Sequence, residues 1–349
     1  MTILLLEAIK VLTLSMVAFI IALAITPVVA NMLTRMKAGK QIRASGETPI
    51  YTRLHSAKAG TPTMGGIIVW GTVALLAFII FIFHAIFDGF WSYINFIDRA
   101  ETYLPFAAMI LAGTIGLIDD ALGILRIGPN NGGISVRQKL VAYFLIAVIG
   151  ALWFYYRLDW DTLTIPLVGS ISIGWLYIPL FIFVIVASAF SANETDGLDG
   201  LAGGVMLFAF IALTIVAFAL GRYHLATFGG VTIGALLAFL WHNIYPARFF
   251  MGDTGSMALG ITMGMIAMFT NTTLLLPFFA PILVLESLSV VIQIASKKWR
   301  GKKVFLSTPI HHHFEALGWH ETRITMRFWI ISAIASIFGL AIFFLDRLL

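Results

Sequence analysis

Cysteine is missing from this 349-residue chain, so a disulfide framework and a thiolate metal site are both excluded, and the redox compartment leaves no trace. Charge is scarce too: Asp, Glu, Lys and Arg make up 11% of the residues, where a soluble domain carries about a quarter. With 60% hydrophobic residues and a mean hydropathy of +0.97, an integral membrane protein is predicted. No internal repeat or low-complexity tract stands out, which weighs against inverted-repeat transporters. The start also lacks the basic stretch and short apolar core of a cleaved signal. Glu7 and Lys10 cancel and the apolar run continues to Leu33, so it reads as a first, retained span.

What the chain has instead is a succession of long apolar runs. A span needs about 20 residues, and ten fit, near 9–33, 66–87, 103–121, 139–156, 175–192, 201–220, 226–242, 256–270, 275–296 and 328–346. The expected architecture is a single all-α polytopic domain over residues 1–349, with loops 34–65, 120–138, 193–200, 243–256 and 297–327 on one face. Seventeen of the 22 Lys and Arg, among them Lys58, Arg126, Lys139 and the run Lys297 to Lys303, lie in or beside those loops. By the positive-inside rule that face is cytoplasmic and both termini are outside. The net charge of +5 is thereby accounted for by membrane orientation, and no nucleic-acid partner is expected. On the other side, residues 157–174 alternate apolar and turn residues, which predicts a small outer β-hairpin near 160–174.

Acids cluster where they are expensive. Glu194, Asp196 and Asp199 sit between two apolar runs, Asp119 and Asp120 end a third, and Asp253 precedes a fourth. A carboxylate beside hydrocarbon is a functional-site hypothesis by default; the plain alternative is that some of these residues cap helices. Adjacent acids at a helix end point about 100° apart, so one could bind a metal while the other takes a proton. Oxygen ligands without cysteine suit Mg²⁺, which uses one or two carboxylates plus substrate phosphates. Gly252 and Gly255 around Asp253 allow a tight turn whose N–H groups could meet an anion. Lys58 follows the same logic: the glycines and Pro62 of Lys58-Ala-Gly-Thr-Pro-Thr-Met-Gly-Gly66 fix a turn, leaving its ammonium free for an anionic substrate. The triplet His311, His312 and His313 cannot all face one way. Zn²⁺ is one reading, although zinc ligands usually lie three or more residues apart; phosphate binding beside the basic run is the other.

Taken together, these segments resemble a known family. Lys58 to Gly66, Asp119-Asp120, Asn193 with Thr195-Asp-Gly-Leu-Asp-Gly-Leu-Ala202, Asn243 to Ser256, and Pro309-Ile-His-His-His-Phe-Glu315 are similar to the polyprenyl-phosphate N-acetylhexosamine 1-phosphate transferases. Within that superfamily the His triplet with its Phe-Glu singles out the phospho-N-acetylmuramoyl-pentapeptide transferase family. The resemblance implies about ten transmembrane helices, a homodimer in the bacterial inner membrane and a cytoplasmic Mg²⁺ site. It also implies transfer of phospho-MurNAc-pentapeptide from UDP-MurNAc-pentapeptide to undecaprenyl phosphate, giving lipid I and UMP. It places Asp119, Asp120 and Asp253 on the family's essential aspartates, with Asp253 on the metal ligand. Lys58, Asn193, Asp196, Asp199, Asn243 and Phe250 fall on the uridine and phosphate pocket, and His311, His312 and His313 on the nucleotide-sugar site.

Two positions depart from the family. Gly123 stands where many members carry lysine, and Glu194 where leucine is common. With a lysine missing, Lys139 together with Arg126 is expected to supply the cation, made possible by the flexible Gly132-Gly133. Asp119 is the expected proton acceptor or orienting group, with a covalent aspartyl-phosphate route left open. Two rival readings are a sister transferase using UDP-GlcNAc and a cation-coupled transporter.

Overall fold

The computed structural model describes residues 2–36, 38–39, 58, 60–129 and 132–348. Lys37, Lys40, Arg43 and Arg53 of the first basic loop, and Asn130 and Asn131 of the loop after Asp120, lie outside the described residues. Helices dominate because hydrocarbon offers no partner for backbone N–H and C=O groups, which must bond within their own segment. They run α1 (Thr2–Arg35), α2 (Ile67–Ile86), α3 (Phe90–Ile94), α4 (Ala100–Leu125) and α5 (Val136–Arg157). After a β-hairpin follow α6 (Tyr177–Thr195), α7 (Leu201–Ala219), α8 (Tyr223–Asn243), α9 (Gly252–Phe269), α10 (Leu276–Phe279), α11 (Pro281–Arg300), α12 (Ile310–Ala316) and α13 (Glu321–Asp346). The hairpin falls where it was expected: β1 (Thr162–Ile165) pairs antiparallel with β2 (Gly169–Ser172), Thr162 opposite Ser172.

Among the described residues eight helices are long and apolar enough to cross a membrane, nine if the broken pair Thr273–Phe279 and Pro281–Arg300 counts as one span. All ten runs expected from hydropathy fall in helical segments, and two of them fall short as straight apolar spans for physical reasons. The run 275–296 is not one straight span: its two parts meet at 93°, at Pro281, which has no N–H to continue a helix. The run 256–270 lies in α9, which is buried from Thr254 to Phe269. Sheltered by protein on all sides, α9 needs no lipid-grade hydropathy and carries Gly, Thr and Ser instead. Small residues there let backbones approach: a Cβ on Gly260 would lie 2.9 Å from Ala189 Cα, and one on Gly116 would lie 2.7 Å from Thr254 N.

The core therefore wraps around α9, with α4 and α6 against it and α7, α8 and α1 packed in sequence beyond. All the acidic segments come out at one end of this bundle. At the other end the Asp346 carboxylate accepts from Leu167 N–H at 2.6 Å, fastening α13 to the hairpin beside a cavity of about 470 Å³ lined by Trp160, Arg222, Asn271 and Arg347.

Candidate active site

The penultimate turn of α4 brings Asp119 and Asp120 to the first turn of α9 from the side, and their roughly 100° divergence sends them to different partners. Asp119 turns toward α5. Lys139 Nζ lies 2.7 Å from its Oδ2 and also contacts Asp253 Oδ2, while Ile134 N–H donates to Asp119 Oδ1. Lys139 is in the first turn of α5, whose N-terminus is set by a capping box in which Ser135 and Gln138 bond reciprocally. From the end of α6, Asn193 Nδ2 donates to Asp253 Oδ1 at 2.9 Å and to Ser256 Oγ at 3.2 Å. Four helix ends thus converge on one ammonium shared by two carboxylates.

Asp120 turns instead to α9, where its Oδ2 accepts from Thr254 N–H at 3.0 Å and from Thr254 Oγ1 at 2.7 Å. It satisfies an otherwise orphaned N–H of the helix start. The neighbouring acids frame the same turn. Asp196 Oδ2 accepts from Gly252 N–H at 2.9 Å, with Gly252 at φ 71°, a conformation that glycine adopts at little cost. Asp199 accepts from Ala247 N–H at 2.9 Å and from Lys58 Nζ at 2.6 Å. Asn243 is buried, its Oδ1 accepting from Gly200 N–H at 3.1 Å and its Nδ2 donating to Phe249 O at 2.9 Å. Of the acids expected at the site, Asp119 and Asp253 share Lys139 and Asp199 meets Lys58, while Asp119, Asp120, Asp196 and Asp199 each also accept a backbone N–H.

Beside this cluster lies a cavity of about 370 Å³ whose lining includes Lys58, Tyr245, Phe250, Trp319, His320 and Glu321. Lys58 also contacts Glu321, and its Nζ stands 5.9 Å from the Phe250 ring centre. Glu321 was not anticipated; in sequence it is an ordinary first-turn acid of α13. The histidines diverge, as consecutive helical residues must. His311 Nδ1 is 3.0 Å from Glu286 Oε2, His312 Nδ1 is 2.6 Å from Glu315 Oε2, and His313 Nδ1 accepts from Leu306 N–H at 3.2 Å. Among the described residues no three or more His, Asp or Glu are grouped to hold a metal ion, so the zinc reading of the triplet gains nothing. Glu286 was also missed, although a lone acid within the apolar run 275–296 is the signal that could have found it.

Burial disfavours a charged His311, yet the Glu286 carboxylate, with Glu315 and Glu194 further off, outweighs it and holds the imidazole above its ordinary range. A raised folded-state pKa stabilises fully below the unfolded value of about 6.5 and is lost as pH climbs through the raised one. The Tm of the purified protein should therefore fall as pH rises through that window, and Glu286→Gln should flatten the fall. Thermal melts across neutral pH check this.

The oxygen-only pair Asp119 and Asp253, already bridged by a cation, fits a hard ion that takes one or two carboxylates and completes its shell from phosphates. A helical membrane bundle whose helix-end acids hold two lysines, Lys58 and Lys139, beside a cavity has the make-up of a membrane phospho-sugar transferase. The description Glycosyl transferase family 4 matches residues 102–271, a segment holding Asp119, Asp120, Lys139, Asn193 and Asp253. The relatives extend over nearly the whole chain. A phospho-N-acetylmuramoyl-pentapeptide-transferase of Clostridium novyi (strain NT) is 38% identical, covering 93% of this chain and 94% of its own. One from Geobacillus thermodenitrificans (strain NG80-2) is 37% identical over 93% and 95%, and one from Acetivibrio thermocellus is 39% identical over 92% of each. The chain belongs to the phospho-N-acetylmuramoyl-pentapeptide-transferase family.

Proposed function

We propose that this chain transfers phospho-MurNAc-pentapeptide from UDP-MurNAc-pentapeptide to undecaprenyl phosphate, releasing UMP and leaving lipid I, at a site facing the cytoplasm. The observation that carries the reading is the Asp119–Lys139–Asp253 cluster at the bundle end, beside a cavity of nucleotide size. Phosphoryl transfer asks the protein mainly to position two anions and neutralise their charge. Lys58 and Phe250 hold the uridine diphosphate end, the lysine on phosphate and the ring against uracil, and His311, His312 and His313 line the approach of the sugar. Asn193 orients Asp253, the residue that would hold Mg²⁺, and Asp119 would share it. When bound, Mg²⁺ neutralises diphosphate charge as a Lewis acid. Asp119 orients or deprotonates the acceptor phosphate, whose oxygen attacks the β-phosphorus while UMP leaves. Asp120, Asp196, Asp199 and Asn243 keep the turn that carries Asp253 and Phe250 in register.

Lys139 stands in for the lysine that Gly123 lacks. Arg126, expected to share that task, is exposed at the left-handed C-cap of α4, with no ion pair among the described residues. Glu194 is half-buried within reach of the charges of His311, Glu286, Lys139 and Asp253, so the second departure adds a negative charge beside the same cluster.

Purified protein with undecaprenyl phosphate and Mg²⁺ should release UMP from UDP-MurNAc-pentapeptide and not from UDP-GlcNAc; the reverse preference would favour the sister transferase. Orientation is checked separately. In this Cys-free chain a cysteine placed at 302 should be labelled only from the cytoplasm and one at 161 from outside. External labelling at 302 would put the cluster on the wrong face. Homodimerisation, also proposed, predicts cross-linked pairs in the native membrane.

A further inference from the structure

Two tyrosines, Tyr143 and Tyr177, are each 1% exposed, and the hydroxyl of each is buried without a hydrogen-bond partner. A buried donor left unmade is unfavourable, and phenylalanine would fill the same space without that loss. The two differ in surroundings. Tyr177 begins α6 at the end of the bundle away from the acids. Tyr143 lies one helical turn beyond Lys139 on the same face of α5, and a helical side chain leans back toward the preceding turn, here the turn whose Lys139 is paired with Asp119 and Asp253.

The acids of the cluster do not need this donor. Asp253 takes its hydrogen bonds from Lys139 and Asn193, and Asp119 from Lys139 and Ile134 N–H. A water-excluded O–H held on a rigid helix beside a site built for anions is the arrangement that stabilises charge developing on an oxygen, since it needs no reorganisation when the charge forms.

We infer that Tyr143 is a further catalytic residue of this site, its hydroxyl donating to a phosphoryl oxygen of the diphosphate substrate as the β-phosphorus is transferred. The inference rests on the proposed transferase reading. A donor to a charged oxygen that acts mainly in the transition state should affect turnover far more than substrate affinity.

The test is Tyr143→Phe in the full-length protein, with Tyr177→Phe beside it. UMP release should fall roughly 10- to 100-fold in kcat for Tyr143→Phe, with KM for the UDP-sugar within about twofold and Tm unchanged or raised. Tyr177→Phe should leave kcat as in the wild type. A kcat for Tyr143→Phe equal to the wild type, or a kcat that falls only in step with a lowered Tm, overturns the assignment. If the wild type itself releases no UMP, the transferase reading has failed, and a second arm judges Tyr143 alone. Inorganic pyrophosphate with Mg²⁺ should raise the Tm of the wild type more than that of Tyr143→Phe, and equal shifts refute the contact.

Discussion

Asp253→Asn should abolish turnover, lowering kcat by roughly 10³-fold or more, the scale of losing a metal ion's charge stabilisation, while the protein folds and melts as before. The expectation follows from what surrounds this side chain. Its two oxygens meet Lys139 and Asn193, and its backbone is fixed by interactions that the substitution leaves untouched: Asp196 on Gly252 N–H and Asp120 on Thr254. An amide can still pack there, yet it cannot share a cation with Asp119. Loss of turnover with Tm retained therefore reports charge and not folding. Chelation of the wild type should produce the same inactivity, reversed by adding Mg²⁺. Full activity in the presence of chelator would remove the metal from the mechanism.

Lys139→Ala should come next, with kcat falling by about two orders of magnitude, because the ammonium between two carboxylates is removed and its partners are left unpaired in a half-buried cluster. Gly123→Lys should restore part of that loss. Position 123 lies one turn beyond Asp119 on α4, and a Cβ there would meet nothing within 4 Å, so a lysine can start from open space and reach back toward the aspartates. Arg126→Ala, at an exposed C-cap, should leave kcat within about twofold, the usual scope of a surface change. UMP release from the four proteins is the measurement. An unaltered kcat in Lys139→Ala would show that the cluster is structural.

Much of this was legible before any coordinates. The scarcity of charge gave the membrane class, the alternation over residues 157–174 gave the hairpin, and the acids at the ends of apolar runs gave the common end on which Asp119, Lys139, Asn193 and Asp253 meet. The misses have physical reasons. Hydropathy registers an apolar run and not its direction, so the break at Pro281 was invisible inside 275–296. It also assumes that a span faces lipid, which α9 does not. Asp119, Asp120, Asp196 and Asp199 look alike in sequence, and each accepts a backbone N–H; sequence does not show which of them also meets a lysine, as Asp119 and Asp199 do. Glu286, Glu321 and Tyr143 were overlooked for a different reason. Each is one polar residue in a segment otherwise read for its apolar or helical pattern; Glu286 and Glu321 acquire meaning from partners distant in sequence, His311 and Lys58, and Tyr143 from its place one turn beyond Lys139.

The central claim is that this cluster moves a phosphoryl-sugar group from a nucleotide to a lipid. The direct measurement uses UDP-MurNAc-pentapeptide labelled with ³²P at the β-phosphorus, incubated with purified protein, Mg²⁺ and undecaprenyl phosphate, and then partitioned between butanol and water. The label should enter the butanol phase one for one with UMP released, only when the lipid acceptor is present, and not in Asp253→Asn. Label that remains in water as free sugar phosphate, or lipid labelling that persists in Asp253→Asn, would contradict the account.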